Sequence, residues 1–121
     1  MPHKPLTAAE LSDAAAKAIR DLNHATRQTN GGLEYPGDAY TTVANLSTVA
    51  MRLPQAFDQI RDFIDRLGTK GHLQSDNGLD DLAQRLEDLR AAMATAGRCA
   101  DALHTCLNQA HTALSPIGYA E

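Results

Sequence analysis

Apolar residues return every three or four positions along most of this chain, and polar ones fill the gaps. The first run is Leu11, Ala15, Ala18, Leu22 and Ala25, with Ile19 widening the stripe. It follows Thr7-Ala8-Ala9-Glu10, which has the form of a capping box, so a helix is expected to start near Ala8. Asn30-Gly31-Gly32 is the expected stop. Three of the five stripe residues are alanine, which suits close backbone approach better than bulky interdigitation.

A second run reads Val43, Leu46, Ala50, Leu53, Phe57, Ile60, Ile64 and Leu67, with Asp38 as the expected N-cap and Gly68-Thr69-Lys70-Gly71 as the stop. Val49, Ala56 and Phe63 lie beside it, so the apolar face is wider than a two-stranded coil needs. Pro54 falls inside the run without shifting its phase, which predicts a kink rather than a break. The third run is Leu79, Leu82, Leu86, Leu89, Met93, Ala96, Ala100, Leu103, Leu107, Ala110 and Leu114, with Asp76 or Asn77 as cap and Pro116 beyond its end. Gly97 sits beside this seam and leaves its phase intact. A flanking row of Ala92, Cys99, Cys106 and Ala113 is small throughout.

The pattern predicts an all-α protein: an antiparallel bundle of three long helices in one domain, 1–121, with a flexible N-terminus, 1–6, and a C-terminal tail, 115–121. At 1.5 Å per residue the three helices reach about 31, 43 and 55 Å. The shortest leaves part of the third seam uncovered in a monomer, and an exposed apolar strip marks an interface. Dimerisation through Ala96, Ala100, Leu103, Leu107, Ala110 and Leu114 is the expected completion of the bundle.

Composition narrows the function. A net charge of −4 and a pI near 5.6 give no cationic field for nucleic acid. No apolar run is long enough for a membrane span and the opening residues lack a signal-peptide core, so a cytoplasmic protein is expected. Cys99 and Cys106 are seven residues apart on one helix, about 10 Å, too far to bridge; both are expected as small buried residues on a packed face. His104 and His111 share the other flank of that helix, expected as exposed or hydrogen-bonded, and no CxxC, HExxH or Glu-x-x-His pattern supplies a metal site. The acidic residues alternate with arginines, as on a solvated helix surface. No nucleophile elbow or phosphate loop is present, so catalysis is not expected and no cofactor is implied.

One cluster stands apart from this surface chemistry. Asn23 and His24 end the first helix, and Tyr35 and Tyr40 flank the loop after it, so a returning loop can gather the four into a ligand or peptide site. The stretches Ala18-Ile19-Arg20-Asp21-Leu22-Asn23-His24-Ala25-Thr26, Gly32-Leu33-Glu34-Tyr35-Pro36 and Leu53-Pro54-Gln55-Ala56 resemble small helical proteins of unknown function that are frequent in actinomycetes. That resemblance covers nearly the whole chain and implies a helical fold and a bacterial cytosol. It carries no activity and no site residues. The expected role is a non-catalytic interaction or adaptor protein that packs against itself and against another helical protein. The competing expectation is a regulator that takes a small molecule or nucleic acid at the Asn23, His24, Tyr35 and Tyr40 end.

Overall fold

The computed structural model describes residues 4–120. The expected flexible segment at 1–6 therefore lies outside the described residues at 1–3, and the tail at 121. Among the described residues the long elements are all helical: α1 (Ala8–Ala25), α2 (Pro36–Thr69) and α3 (Leu79–Leu114), with a short 3-10 turn at Gln28–Asn30. Contacts group the chain into two compact units, one of residues 1–39 with 117–121 and the other of residues 40–116.

In the first unit the capping box at Thr7 forms as its sequence requires. The Glu10 backbone N–H donates to Thr7 Oγ1 at 3.1 Å, and Thr7 N–H donates to Glu10 Oε1 at 3.0 Å. The Thr7 N–H first, and second the Thr7 hydroxyl, which donates to the same Oε1 at 2.9 Å, hold the Glu10 carboxyl below the ordinary glutamate range. The end of α1 departs from expectation, falling at Ala25 and not at Asn30. Its last carbonyls are taken by the chain folding back: Thr26 Oγ1 donates to Leu22 O, Asn30 Nδ2 to His24 O at 2.7 Å, and Gly32 N–H to Ala25 O at 3.0 Å. Gly32 is fixed by that return, because a Cβ there would sit 2.3 Å from the Ala25 carbonyl oxygen. No residue of α1 is buried, and Leu11 and Ile19 of its apolar stripe are exposed.

The start of α2 also differs by a short shift. Pro36 opens the helix, a position that has no use for an N–H. Asp38 is thus inside the first turn and is not the N-cap; its carboxylate reaches back to accept from Tyr35 N–H at 3.0 Å and Glu34 N–H at 2.9 Å. The Tyr35 bond chiefly, then the Glu34 bond, holds that carboxyl below the usual aspartate range.

In the second unit α2 continues through Pro54 as one helix. The α3 helix has the expected bounds, but neither Asp76 nor Asn77 is its cap. Gly78 occupies the N-cap position at φ +100°, a left-handed-side value that favours glycine, and the Ser75 hydroxyl donates to Asp81 in the first turn. That bond is the largest cause holding the Asp81 carboxyl down, with Arg85 adding to it.

Contacts between α2 and α3 form a ladder whose partners climb along one helix as they fall along the other. Tyr40 meets His111, Ser47 meets His104, Asp65 meets Arg90, and a Cβ on Gly68 would touch Leu86. Gly97 lies against Pro54, with 4.0 Å between a built Cβ and the proline ring's Cβ. The fully buried residues between these contacts are small: Ala50 (1% exposed), Ser47 (4%) and Ala100 (5%). Small side chains let the two helix backbones come close, and a bulky one at these heights would force them apart.

Candidate interaction surface

The α2 sequence holds two 3-4 rows, and the structure separates them. The row Val43, Ser47, Ala50, Pro54, Phe57, Arg61, Ile64 and Gly68 contains no exposed residue. It is the face that α3 covers. One position earlier, about 100° around the helix, runs Thr42, Leu46, Val49, Leu53, Ala56, Ile60, Phe63 and Leu67. In this outer row Val49 (47%), Ile60 (46%) and Phe63 (52%) are exposed, as is Ala56. The expected seam of α2 took alternate members from both rows.

The α3 helix divides in the same way. Its covered row is Leu82, Leu86, Leu89, Met93, Ala96, Ala100, His104, Leu107, His111 and Leu114, none of them exposed. Its open row is Ala92, Cys99, Leu103, Cys106, Ala110 and Ala113, all exposed. Of the six residues expected at a dimer interface, Ala100 is buried and Ala96, Leu107 and Leu114 are half-buried, while Leu103 and Ala110 are open. Cys99 and Cys106 are free and exposed, which corrects their expected burial. They sit on the open row because His104 and His111, not Leu103 and Ala110, turn toward α2.

The reason those histidines face inward is a polar network. His104 Nδ1 lies 3.0 Å from the Ser47 carbonyl, which can only accept, so Nδ1 carries the proton. The same N–H also reaches Ser47 Oγ at 3.0 Å. Ser47 Oγ donates to Asn108 Oδ1 at 2.7 Å, and Asn108 Nδ2 donates to His104 Nε2 at 3.2 Å. Every donor thus has an acceptor, and no buried side-chain polar atom among the described residues lacks a partner. The direction of these bonds also decides the chemistry. Ser47 gives its proton away from the histidine and accepts from it, so His104 does not serve as a base for Ser47 in this arrangement. The network is a specific interhelical contact. His111 adds to it by stacking on Tyr40, centroids 3.9 Å apart.

The four residues expected to form a ligand site have separate surroundings. Tyr35 packs edge-on against Tyr119, centroids 5.7 Å apart, while Tyr40 has His111 as its ring partner. Asn23 and His24 border an open concavity on α1 with Ile19, Arg20 and Arg27. No group of three His, Cys, Asp or Glu side chains among the described residues is placed to hold a metal ion. No described helix is long and apolar enough to cross a membrane.

No family model, curated protein or solved structure matches this chain. What the chain presents is a surface, an apolar row of α2 and a small-residue row of α3 left open beside the faces that the two helices turn to each other. The inner polar network was legible only in part: His104 was expected as exposed or hydrogen-bonded and is hydrogen-bonded, while nothing in the pattern marks Ser47 or Asn108 as its partners. The signal that places the two histidines inward is their unbroken 3-4 spacing with Ala100, Leu107 and Leu114.

Proposed function

We propose that this protein is a non-catalytic helical interaction protein that works by helix packing, its antiparallel bundle being completed by a second copy and its open rows also suiting another helical protein. The observation that carries this reading is the exposure of Val49, Ile60 and Phe63 on one 3-4 row of α2 and of Leu103 on the open row of α3. Apolar side chains at that spacing are what a partner helix packs between, and a contiguous apolar strip of this length on a free surface favours association. A bacterial, cytoplasmic setting and membership among small helical actinomycete proteins are consistent with this reading. The absence of a polarised nucleophile in the Ser47 network favours binding over catalysis. The regulator reading rests on Asn23, His24, Arg20 and Arg27 around the α1 concavity and is addressed by thermal-shift screening against metabolites.

Sedimentation of the full chain and of a variant carrying both Ile60→Asp and Leu103→Asp tests the proposal. The expected result is a self-associating wild type and a variant whose dissociation constant is at least about a hundredfold higher, since buried unpaired carboxylates cost several kcal/mol and 1.4 kcal/mol is tenfold. Helix content by circular dichroism stays unchanged, because both positions are exposed in the single chain. A strict monomer at high concentration, or a variant that associates as tightly as wild type, defeats the proposal.

A further inference from the structure

Resting on that self-association, we infer that two copies pair about a two-fold axis perpendicular to their helices, which lays α3 on the partner's α3 and sets Cys99 of each copy opposite Cys106 of the other. In a right-handed helix the open rows of α2 and α3 are displaced in the same rotational sense from their covered rows. The ladder of contacts runs in opposite order along the two helices, so equal senses bring both open rows to one side of the pair. The two helices thus share a single apolar face.

An axis that relates identical copies needs a patch that is its own reverse. The α3 row meets that requirement. Ala92, Cys99, Cys106 and Ala113 recur at intervals of seven and read the same in size from either end, about a midpoint between Ala102 and Leu103. A two-fold there sets Ala92 opposite the partner's Ala113, and small side chains at these four places let the helix axes approach to about 8 Å. The α2 row agrees at the same height. Tyr40 with His111, Ser47 with His104 and Pro54 with Gly97 step in sevens along both helices, so the α3 midpoint is level with Val49 to within about half a residue. Val49 then meets its own copy and Thr42 faces the partner's Ala56, while Leu46, Leu53 and Leu103 of both chains fill the space between the four helices.

Charge decides between this axis and one parallel to the helices. Toward its start the open row of α3 carries Asp81, Arg85 and Asp88, each one position before a covered leucine. A parallel axis keeps every residue at its own height and, with Asp65 level with Arg90, presses Asp88 onto the partner's apolar α2 row beside Leu67. The perpendicular axis matches residues 91–114 of α3 with themselves reversed, so the three charged groups lie past the end of the partner's α3 and keep their water. Residues 40–57 of α2 and 91–114 of α3 make the overlap. They hold Arg52, Arg98 and Asp101 and no other Asp, Glu, Lys or Arg, and none of the three stands on an open row. Phe63 stays outside the overlap, free for another helical protein. The matched lengths are about 27 and 36 Å, and at about 10 Å of width per helix they give about 630 Å² on each copy. Stable interfaces take about 600–1,000 Å² from each partner.

Thiol linkage in the full chain reads this geometry directly. Both cysteines are free and exposed, and within one chain they are too far apart to join. With glutathione disulfide as oxidant, one Cys99 thiol and one Cys106 thiol close to a disulfide and two molecules of glutathione leave, so the wild-type dimer becomes covalent through two bridges. Cys99→Ser and Cys106→Ser, each alone, link at least about tenfold less, because like cysteines stand about 10 Å apart in height across the axis. Mixing the two variants restores linkage in the mixed dimers, which hold one Cys99 opposite one Cys106. Asp88→Ala, outside the overlap, leaves the dissociation constant from sedimentation within about twofold of wild type. Four results overturn the mating geometry and leave self-association standing: single variants that each link with themselves, a mixture that does not link, a wild type that sediments as a dimer yet stays unlinked, or a dimer tightened by Asp88→Ala. A wild type that is monomeric at high concentration defeats both and assigns the face to a different helical protein.

Discussion

The two rows of α2 differ by about 100° of rotation and by almost everything else. The covered row is chemically mixed: a serine, a proline, an arginine and a glycine sit among its apolar members, and the residues most deeply buried are Ser47 and Ala50. The outer row is the greasier of the two, with Leu46, Val49, Leu53, Ile60, Phe63 and Leu67, and yet it is the exposed one. Shape, not apolarity, has decided which face α3 covers. Small residues let two long helices approach, and Ser47 with His104 and Asn108 fixes how far one slides along the other. The bulky row is left for contacts between larger surfaces.

The sharpest way to break that contrast is to place a carboxylate on each row in turn. Ala50 is 1% exposed, so Ala50→Asp introduces a charge with no partner between α2 and α3. A loss of several kcal/mol is expected, enough to unfold a domain of ordinary marginal stability, measured by thermal or urea denaturation. Ile60→Asp, one row away, is expected to leave the fold intact and act only on association. Equal damage from both would mean that the two rows do not divide folding from assembly.

Much of this was readable in the sequence, and the misplaced faces share one cause. The three helices, the Thr7-Glu10 capping box and the bounds of α3 followed from local rules: hydrogen-bond needs at helix ends and a 3-4 period. The face of each helix did not. A seam assembled from the most apolar residue at each step runs Val43, Leu46, Ala50, Leu53, and so crosses between the two rows; likewise it prefers Leu103 to His104 and Ala110 to His111. Cys99 and Cys106 were misplaced by the same preference. Helix starts failed differently, because Pro36 at the first position and Gly78 at the cap depend on backbone geometry that side-chain type signals only weakly. The candidate cluster of Asn23, His24, Tyr35 and Tyr40 rested on nearness along the chain, a signal that says nothing of ring partners distant in sequence such as Tyr119 for Tyr35 and His111 for Tyr40.

Ser47→Ala probes the covered row more finely than a carboxylate can. The substitution fits the volume of the site but removes the hydroxyl that donates to Asn108 and accepts from His104. With both interhelical contacts of the hydroxyl lost and their partners part-buried, stability is expected to fall by about 1–2 kcal/mol in urea titration. His104 keeps its bond to the Ser47 carbonyl, so the loss stays below that of removing the imidazole with His104→Ala. A neutral Ser47→Ala would show that the network accompanies the fit of the two helices without contributing to it.

Gly97→Ala carries the smallest effect and the opposite sign. Glycine inside a helix costs about 1 kcal/mol relative to alanine. It is retained without that cost being offset only where a Cβ will not fit. Here the built Cβ meets the Pro54 ring at 4.0 Å, an ordinary van der Waals distance, with nothing nearer. Alanine at 97 is therefore expected to raise the midpoint of thermal unfolding by a few degrees, since 1 kcal/mol shifts a domain of this size by about 4 °C. The gain comes from the unfolded chain and the helix backbone, so association through the outer rows is unchanged. A fall in stability instead would mean that Pro54 and the α3 backbone must approach more closely than this contact, and that the covered row is set by the glycine itself as much as by Ala50, Ala100 and Ser47.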